Sequence, residues 1–146
     1  GVDEPPDEDW DVAQDQGGPD SAPWRMPAGT RVGHVHLHVG DLAEAAAFYH
    51  AGLGLDEVVW SYPGALFLSA GGYHHHLGVN TWAAGAPRSA EGDARLLEWE
   101  LVLPRAEDIA AAAESLASAG FPTAGEGADR IVEDPWGTRV RLRVAE

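Results

Sequence analysis

From His34 to Val39 apolar and polar side chains alternate, with Val35, Leu37 and Val39 in one phase and His34, His36 and His38 in the other. Successive side chains of a strand leave on opposite sides, so this stretch predicts a strand with one apolar face. The period then changes. "LAEAAAFYHAGLG" is alanine-rich, follows Asp41 and runs into Gly52 and Gly54. It predicts a helix capped by Asp41 and ended by one of the two glycines. "EVVWSY", "ALFLSA" and "HHHLGVNTW" come next, separated by glycine and proline, and predict three short strands.

The same order recurs in the second half. "LLEWELVLP" (96–104) predicts a strand, "AEDIAAAAESLASAG" (106–120) a second alanine-rich helix ended by Gly120, and "FPTAG", "DRIVEDP" and "TRVRLRVAE" three further strands. Overlaying the halves puts "HVHLHVGD" (34–41) on "EWELVLPR" (98–105) and "HLGVN" (76–80) on "RLRVA" (141–145). Residue identity is weak, but the order and spacing of elements agree, as expected of a duplicated supersecondary unit. An α+β domain of two strand-helix-three-strand modules, about residues 30–85 and 95–146, is the expectation.

Composition narrows the chemistry. A chain of 146 residues is the length of one domain. Its net charge of -15 repels nucleic acid and anionic membrane surfaces, which excludes both as partners. Cysteine is absent, so a metal would need nitrogen or oxygen ligands. No run of apolar residues is long enough for a membrane helix and no signal pattern opens the chain, which makes a cytoplasmic protein the expectation. Residues 1 to 20 hold eight acids, no base and three prolines, the composition of a linker or tail. Residues 1–25 are therefore expected to be an acidic flexible tail, with the folded domain over 26–146. The chain opens at Gly1 rather than methionine, so processing or a longer parent chain is also expected. Glycines near residue 125 precede no helix, and Ser69 and Thr81 lie in no nucleophile motif, which argues against a nucleotide loop and a serine hydrolase.

Two stretches resemble a known superfamily. "GHVHLHVGDLAEAAAFYHAGLGL" resembles the opening strand, Asp turn and helix of the vicinal oxygen chelate proteins, which include glyoxalases, bleomycin- and fosfomycin-resistance proteins and extradiol dioxygenases, and "DPWGTRVRL" resembles their closing turn and strand. "MPAGTRVGHVHLHVGDL" with "GALFLSAGGYHHHLGVNTW" is most similar to the C-terminal half of two-domain catechol 2,3-dioxygenases. The resemblance implies paired modules in a half-open barrel, with four central positions that hold a divalent metal. Those positions fall on His34, His76, Glu98 and Arg141. Strand phase independently sets His34 and Glu98 opposite to the apolar residues beside them.

On that resemblance His34, His76 and Glu98 are the metal ligands. Fe(II) or Mn(II) leads, with Zn(II) or Ni(II) as the other candidates. The implied activity is extradiol cleavage of a catechol-like substrate with vicinal oxygens, His36 or His74 moving protons and Tyr73, Asn80, Trp82 and Arg141 meeting the substrate. Strand phase across the histidine run turns His74 and His76 toward the cleft and His75 away. His38 and His50 read as structural or surface groups. Arg141 departs from the pattern, because a guanidinium cannot ligate a metal. Either it neutralises an anionic substrate beside the metal, or it pairs with Glu98 in a metal-free cleft. The alternatives to the enzyme are a non-catalytic small-molecule binding protein, the regulatory half of a two-domain dioxygenase whose N-terminal half is missing, and a glyoxalase-type isomerase. A homodimer is the other assembly the pattern admits.

Overall fold

The computed structural model describes residues 34–59 and 62–146; the expected tail and the domain boundary near Met26 lie outside the described residues. Among the described residues eight strands form two four-stranded sheets. The first holds β1 (Val35–His38), β2 (Asp56–Val59), β3 (Ala65–Ser69) and β4 (Leu77–Asn80), and the second β5 (Glu98–Leu103), β6 (Ala124–Glu126), β7 (Asp129–Glu133) and β8 (Arg139–Val144). Their orders are β1-β4-β3-β2 and β5-β8-β7-β6. In both, the first strand runs parallel to the last and the remaining pairs are antiparallel. The duplication seen in the sequence is therefore a duplication of topology.

Register refines the overlay. Val35 pairs with Leu77 in the first sheet, and Trp99 with Val140 in the second, so β8 sits one strand period away from the match of His76 with Arg141. A shift by a full period keeps each side chain on its face. It does place Arg139, rather than Arg141, directly beside Glu98.

Both helices start and stop where the sequence indicates. Asp41 is extended, and its carboxylate accepts the Glu44 N–H at 2.9 Å. From it α1 (Leu42–Ala45) passes into a π-helical stretch (Ala46–Gly52), where the Leu53 N–H reaches back to Phe48 O at 2.8 Å. The wider turn narrows the angle between neighbouring side chains, and Phe48 and Tyr49 are both fully buried. The second helix, α2 (Ala106–Ser118), is followed by Gly120 at φ +94°, the left-handed conformation that ends a helix at little cost for glycine.

One core joins the two modules. Leu37, Leu68, Leu77 and Val79 of the first sheet meet Ile109 and Leu116 of α2 and Val132, Val140 and Leu142 of the second sheet. Burying each such side chain contributes about 1.5–3 kcal/mol. The Phe48 and Phe121 rings pack edge to face at 5.0 Å, and Ser115 Oγ donates to Ala51 O at 3.2 Å. The Tyr49 hydroxyl donates to Asp134 Oδ2 at 2.6 Å. Burial, followed by the nearby Asp134 carboxylate, pushes the Tyr49 phenol well above its ordinary range. The other Asp134 oxygen accepts the Trp136 and Thr138 N–H groups, both at 2.9 Å. A side chain of the first module thus clamps the "DPWGT" turn of the second. Among the described residues no helix is long and apolar enough to cross a membrane.

Candidate metal centre

The apolar phase of β1 enters the core, while His34, His36 and His38 remain exposed on the other face. On that face register sets His36 beside Gly78, and Gly78 beside Phe67 of β3. A Cβ on residue 78 would stand 2.7 Å from the His36 ring, so the imidazole lies flat on β4 because that position has no side chain. At the far end of the strand His38 Nδ1 is 2.8 Å from Asn80 Oδ1. The amide oxygen only accepts, so the imidazole donates from Nδ1 and its Nε2 carries the lone pair. The same oxygen accepts the Trp82 N–H at 3.2 Å.

The histidine run does not continue β4. Leu68 pairs with Leu77 at the end of the ladder, and residues 70–76 form the connection, with glycines 71 and 72 both at positive φ. Alternation therefore does not govern His75. Its ring turns onto the face of His34 and His36, which corrects the expectation from strand phase that it points away. The His75 centroid lies 4.6 Å from that of His34 and 5.6 Å from that of His36, and 5.0 Å from Phe67. One ring nitrogen from each of His34, His36 and His75 falls within 4.8 Å of the others. His75 Nε2 is buried with no hydrogen-bond partner. Lost hydration, and then the imidazoles of His34, His74, His36 and His76, lower the pKa of His75.

These features fit a divalent metal. A cation would take up the orphaned nitrogen, whose burial otherwise costs free energy, and the environment favours the neutral form of His75 that ligates. Borderline divalent ions accept such a nitrogen donor set.

The other expected site residues are distributed more widely. His76 Nδ1 accepts the Ala70 N–H at 3.2 Å, and its ring stacks on Tyr73 with centroids 4.5 Å apart. His74 is exposed, edge-on to His34 at 6.5 Å. Trp82 is 65% exposed, whereas Asn80 is buried and orients His38. Glu98 is not among the histidines that converge. Its Oε1 accepts Arg141 Nε at 2.9 Å, and its Oε2 lies 3.7 Å from Arg139 Nε. Arg141 also donates to Asp129 at 2.8 Å. Hydrogen bonds to Glu98 and Asp129 raise the Arg141 pKa further. Arg141 therefore pairs with Glu98, the contact that one of the two readings of the sequence includes.

Beside the histidine face lies a cleft of about 420 Å³, lined by His36, His38, Arg88, Arg95, Leu96 and Trp136 among others. A second hollow of about 350 Å³ shares Arg88, Arg95 and Trp136 and adds Glu133 and Arg139. Sequence reasoning missed Arg88 and Arg95. The available signal was the presence of two arginines in the connection between modules of a strongly acidic chain.

The family model for the Glyoxalase/Bleomycin resistance protein/Dioxygenase superfamily matches residues 31–142. The chain is 46% identical over 99 residues to catechol-2,3-dioxygenase of Bacillus subtilis (strain 168), a match covering 66% of this chain and 34% of that protein. It thus spans about a third of that relative. Among solved structures, a glyoxalase/bleomycin resistance protein from Albidiferax ferrireducens T118 aligns with a TM-score of 0.61 at 21% identity, over 79% of this chain and 98% of that one. Lactoylglutathione lyase from Agrobacterium tumefaciens aligns with a TM-score of 0.60 at 14% identity, over 82% and 96% of the two chains. At such identities the structures speak for the shared fold alone. The family match runs through both modules, and the topology repeats in each as the resemblance implied: the chain belongs to the glyoxalase/bleomycin resistance protein/dioxygenase superfamily.

Proposed function

We propose that this chain carries the divalent-metal centre of an oxidoreductase of the extradiol, catechol-cleaving type. The observation that carries the reading is the meeting of His34, His36 and His75 within 4.8 Å, beside a cleft, with one nitrogen buried and unpaired. The identity shared with a catechol-2,3-dioxygenase supports the substrate class. His34, His36 and His75 would hold the ion. His34 also belongs to the set implied by the resemblance, His34, His76 and Glu98. The other two members of that set have competing partners here, the Ala70 N–H for His76 and two guanidiniums for Glu98. Fe(II) or Mn(II) is the ion we favour.

A bound divalent ion supplies Lewis acidity toward the vicinal oxygens of a diol. The chain supplies the proton acceptor. His38 lines the cleft, and its Nδ1–H is committed to Asn80, which leaves Nε2 as the base. His74, exposed beside His34, is the second group able to carry a proton to water. A second reading, a binding protein without turnover, rests on the consumption of Glu98 by Arg141 and Arg139.

The test is metal analysis of untagged parent, His75→Ala and His76→Ala, with oxygen uptake on catechol. The parent should hold about one ion per chain, His75→Ala should lose most of it and His76→Ala should keep it. Equal metal in the two variants overturns the ligand assignment, and loss confined to His76→Ala restores the set His34, His76 and Glu98. A metal-loaded parent without oxygen uptake rejects the dioxygenase activity and leaves the binding protein.

A further inference from the structure

We infer that the cleft beside the histidines carries a carboxylate-binding subsite built on Arg88 and Arg95, so that the favoured ligand is an aromatic diol bearing a carboxylate. The inference rests on the catechol-type reading for the diol, but the subsite is argued from the cleft itself.

The chain has 24 acidic residues against 9 basic ones, so a cavity lined at random would be acidic. Among the described residues, the cleft of about 420 Å³ has Arg88 and Arg95 in its lining and no Asp or Glu. In the adjoining hollow three guanidiniums, Arg88, Arg95 and Arg139, face one carboxylate, Glu133. A cleft lined by an excess of one charge attracts the opposite charge.

The charges of these two arginines are also unspent. Four of the other described guanidiniums are tied to carboxylates, Arg105 to Asp108, Arg139 to Glu98, Arg141 to Glu98 and Asp129, and Arg143 to Glu100 and Glu146, whereas Arg130 donates to the backbone carbonyls of Gly125 and Gly127, away from the cleft lining. Arg88 instead donates Nε to Trp136 O at 3.1 Å and Nη2 to Pro135 O at 3.3 Å. Its one acidic neighbour among the described residues, Glu133, is 4.0 Å away with both side chains mostly exposed. Backbone carbonyls therefore hold the Arg88 guanidinium in place while leaving its full charge. The turn makes room for it, because Gly137 is at φ +91° and a Cβ there would stand 2.9 Å from Arg88 Nη2. Arg95 makes no hydrogen bond or ion pair with the described residues.

A planar carboxylate matches the guanidinium fork and can accept two N–H bonds at once. His36, one of the three convergent imidazoles, lines the same cleft. An arene with its diol at the histidines and its carboxylate at the arginines spans one cavity, whose volume is ordinary for a small-molecule site.

Calorimetric titration of the full chain with 3,4-dihydroxybenzoate, 4-methylcatechol and benzoate tests this. The parent should bind 3,4-dihydroxybenzoate about tenfold more tightly than 4-methylcatechol, the scale of one charge-assisted hydrogen bond. Arg95→Gln should remove most of that preference while 4-methylcatechol binding stays within about twofold of the parent. The double variant Arg88→Gln/Arg95→Gln should remove the rest. Equal affinities in the parent, or a preference intact in the double variant, overturns the subsite. Benzoate titrated into chelator-treated protein separates the two readings. If it saturates the parent and not Arg95→Gln while 4-methylcatechol does not bind the metal-loaded parent, the catechol-type reading fails and the subsite stands. Benzoate that saturates neither overturns the subsite.

Discussion

His75 shows how much one side chain owes to its neighbours. Its pKa is lowered by desolvation and then by surrounding imidazoles, so the folded state disfavours its protonated form. The unfolded chain, with an ordinary pKa near 6.5, then binds more protons over the interval just below that value. Stability rises with pH wherever the unfolded state is the more protonated. This contribution is therefore complete above about pH 6.5 and lost as pH falls through that value toward the folded pKa. Metal-free protein should melt at a lower temperature at pH 5.5 than at pH 7.5, and the difference should shrink in His75→Ala. Thermal scans at the two values measure it, and an unchanged difference would detach His75 from the titration. Arg88 behaves differently at the same scale, since backbone carbonyls fix its position and leave its charge for a ligand.

Between elements the deciding quantity is the space available where they touch. Gly52 ends the first helical segment against α2, and a Cβ there would meet Leu116 Cδ2 at 3.0 Å and Ala47 O at 3.3 Å. Gly52→Val adds branched volume at a contact already closed, and overpacking of this kind costs about 1–3 kcal/mol. Denaturant unfolding should show that loss as a lower midpoint with unchanged slope. Stability equal to the parent would mean that the helices separate more easily than their shared core implies. Gly78 follows the same rule for function, because its missing side chain is the surface on which the His36 ring rests. The Asp41 cap and the stop after Gly120 belong to this scale too, and both were legible because local hydrogen bonding and backbone sterics decide them.

At the scale of the whole molecule the modules are duplicated in topology but divided in chemistry. The first presents imidazoles on its polar face, whereas the second presents Glu98, Arg141 and Asp129 joined by ion pairs. A common core and the bond from Tyr49 to Asp134 couple them. Tyr49→Phe leaves Asp134 Oδ2 buried without its donor, which should cost about 1–3 kcal/mol. Unfolding should remain a single transition in parent and variant, because neither module has a core separate from the other. Fluorescence and far-UV circular dichroism followed through one denaturant series decide this, and two separated transitions would refute the coupling.

The amino-acid sequence by itself determined the strand-helix-three-strand repeat, the buried phase of β1 and with it the outward face of His34, and both helix ends. These follow from periods of two and of about 3.6 and from local caps, which neighbours along the chain specify. Tertiary structure alone decided that His75, rather than His76, joins His34 and His36. That outcome depends on where the ladder ends at Leu77 and on the bare backbone of Gly78, on which the His36 ring rests. It also decided that Arg141 pairs with Glu98, a contact formed across adjacent strands at a register the overlay missed by one period. The convergence of Arg88 and Arg95 on the cleft of His36 was likewise invisible beforehand. Arg88 and Arg95 reach His36 through the path of the connection between the modules, and no periodicity in the chain records that path.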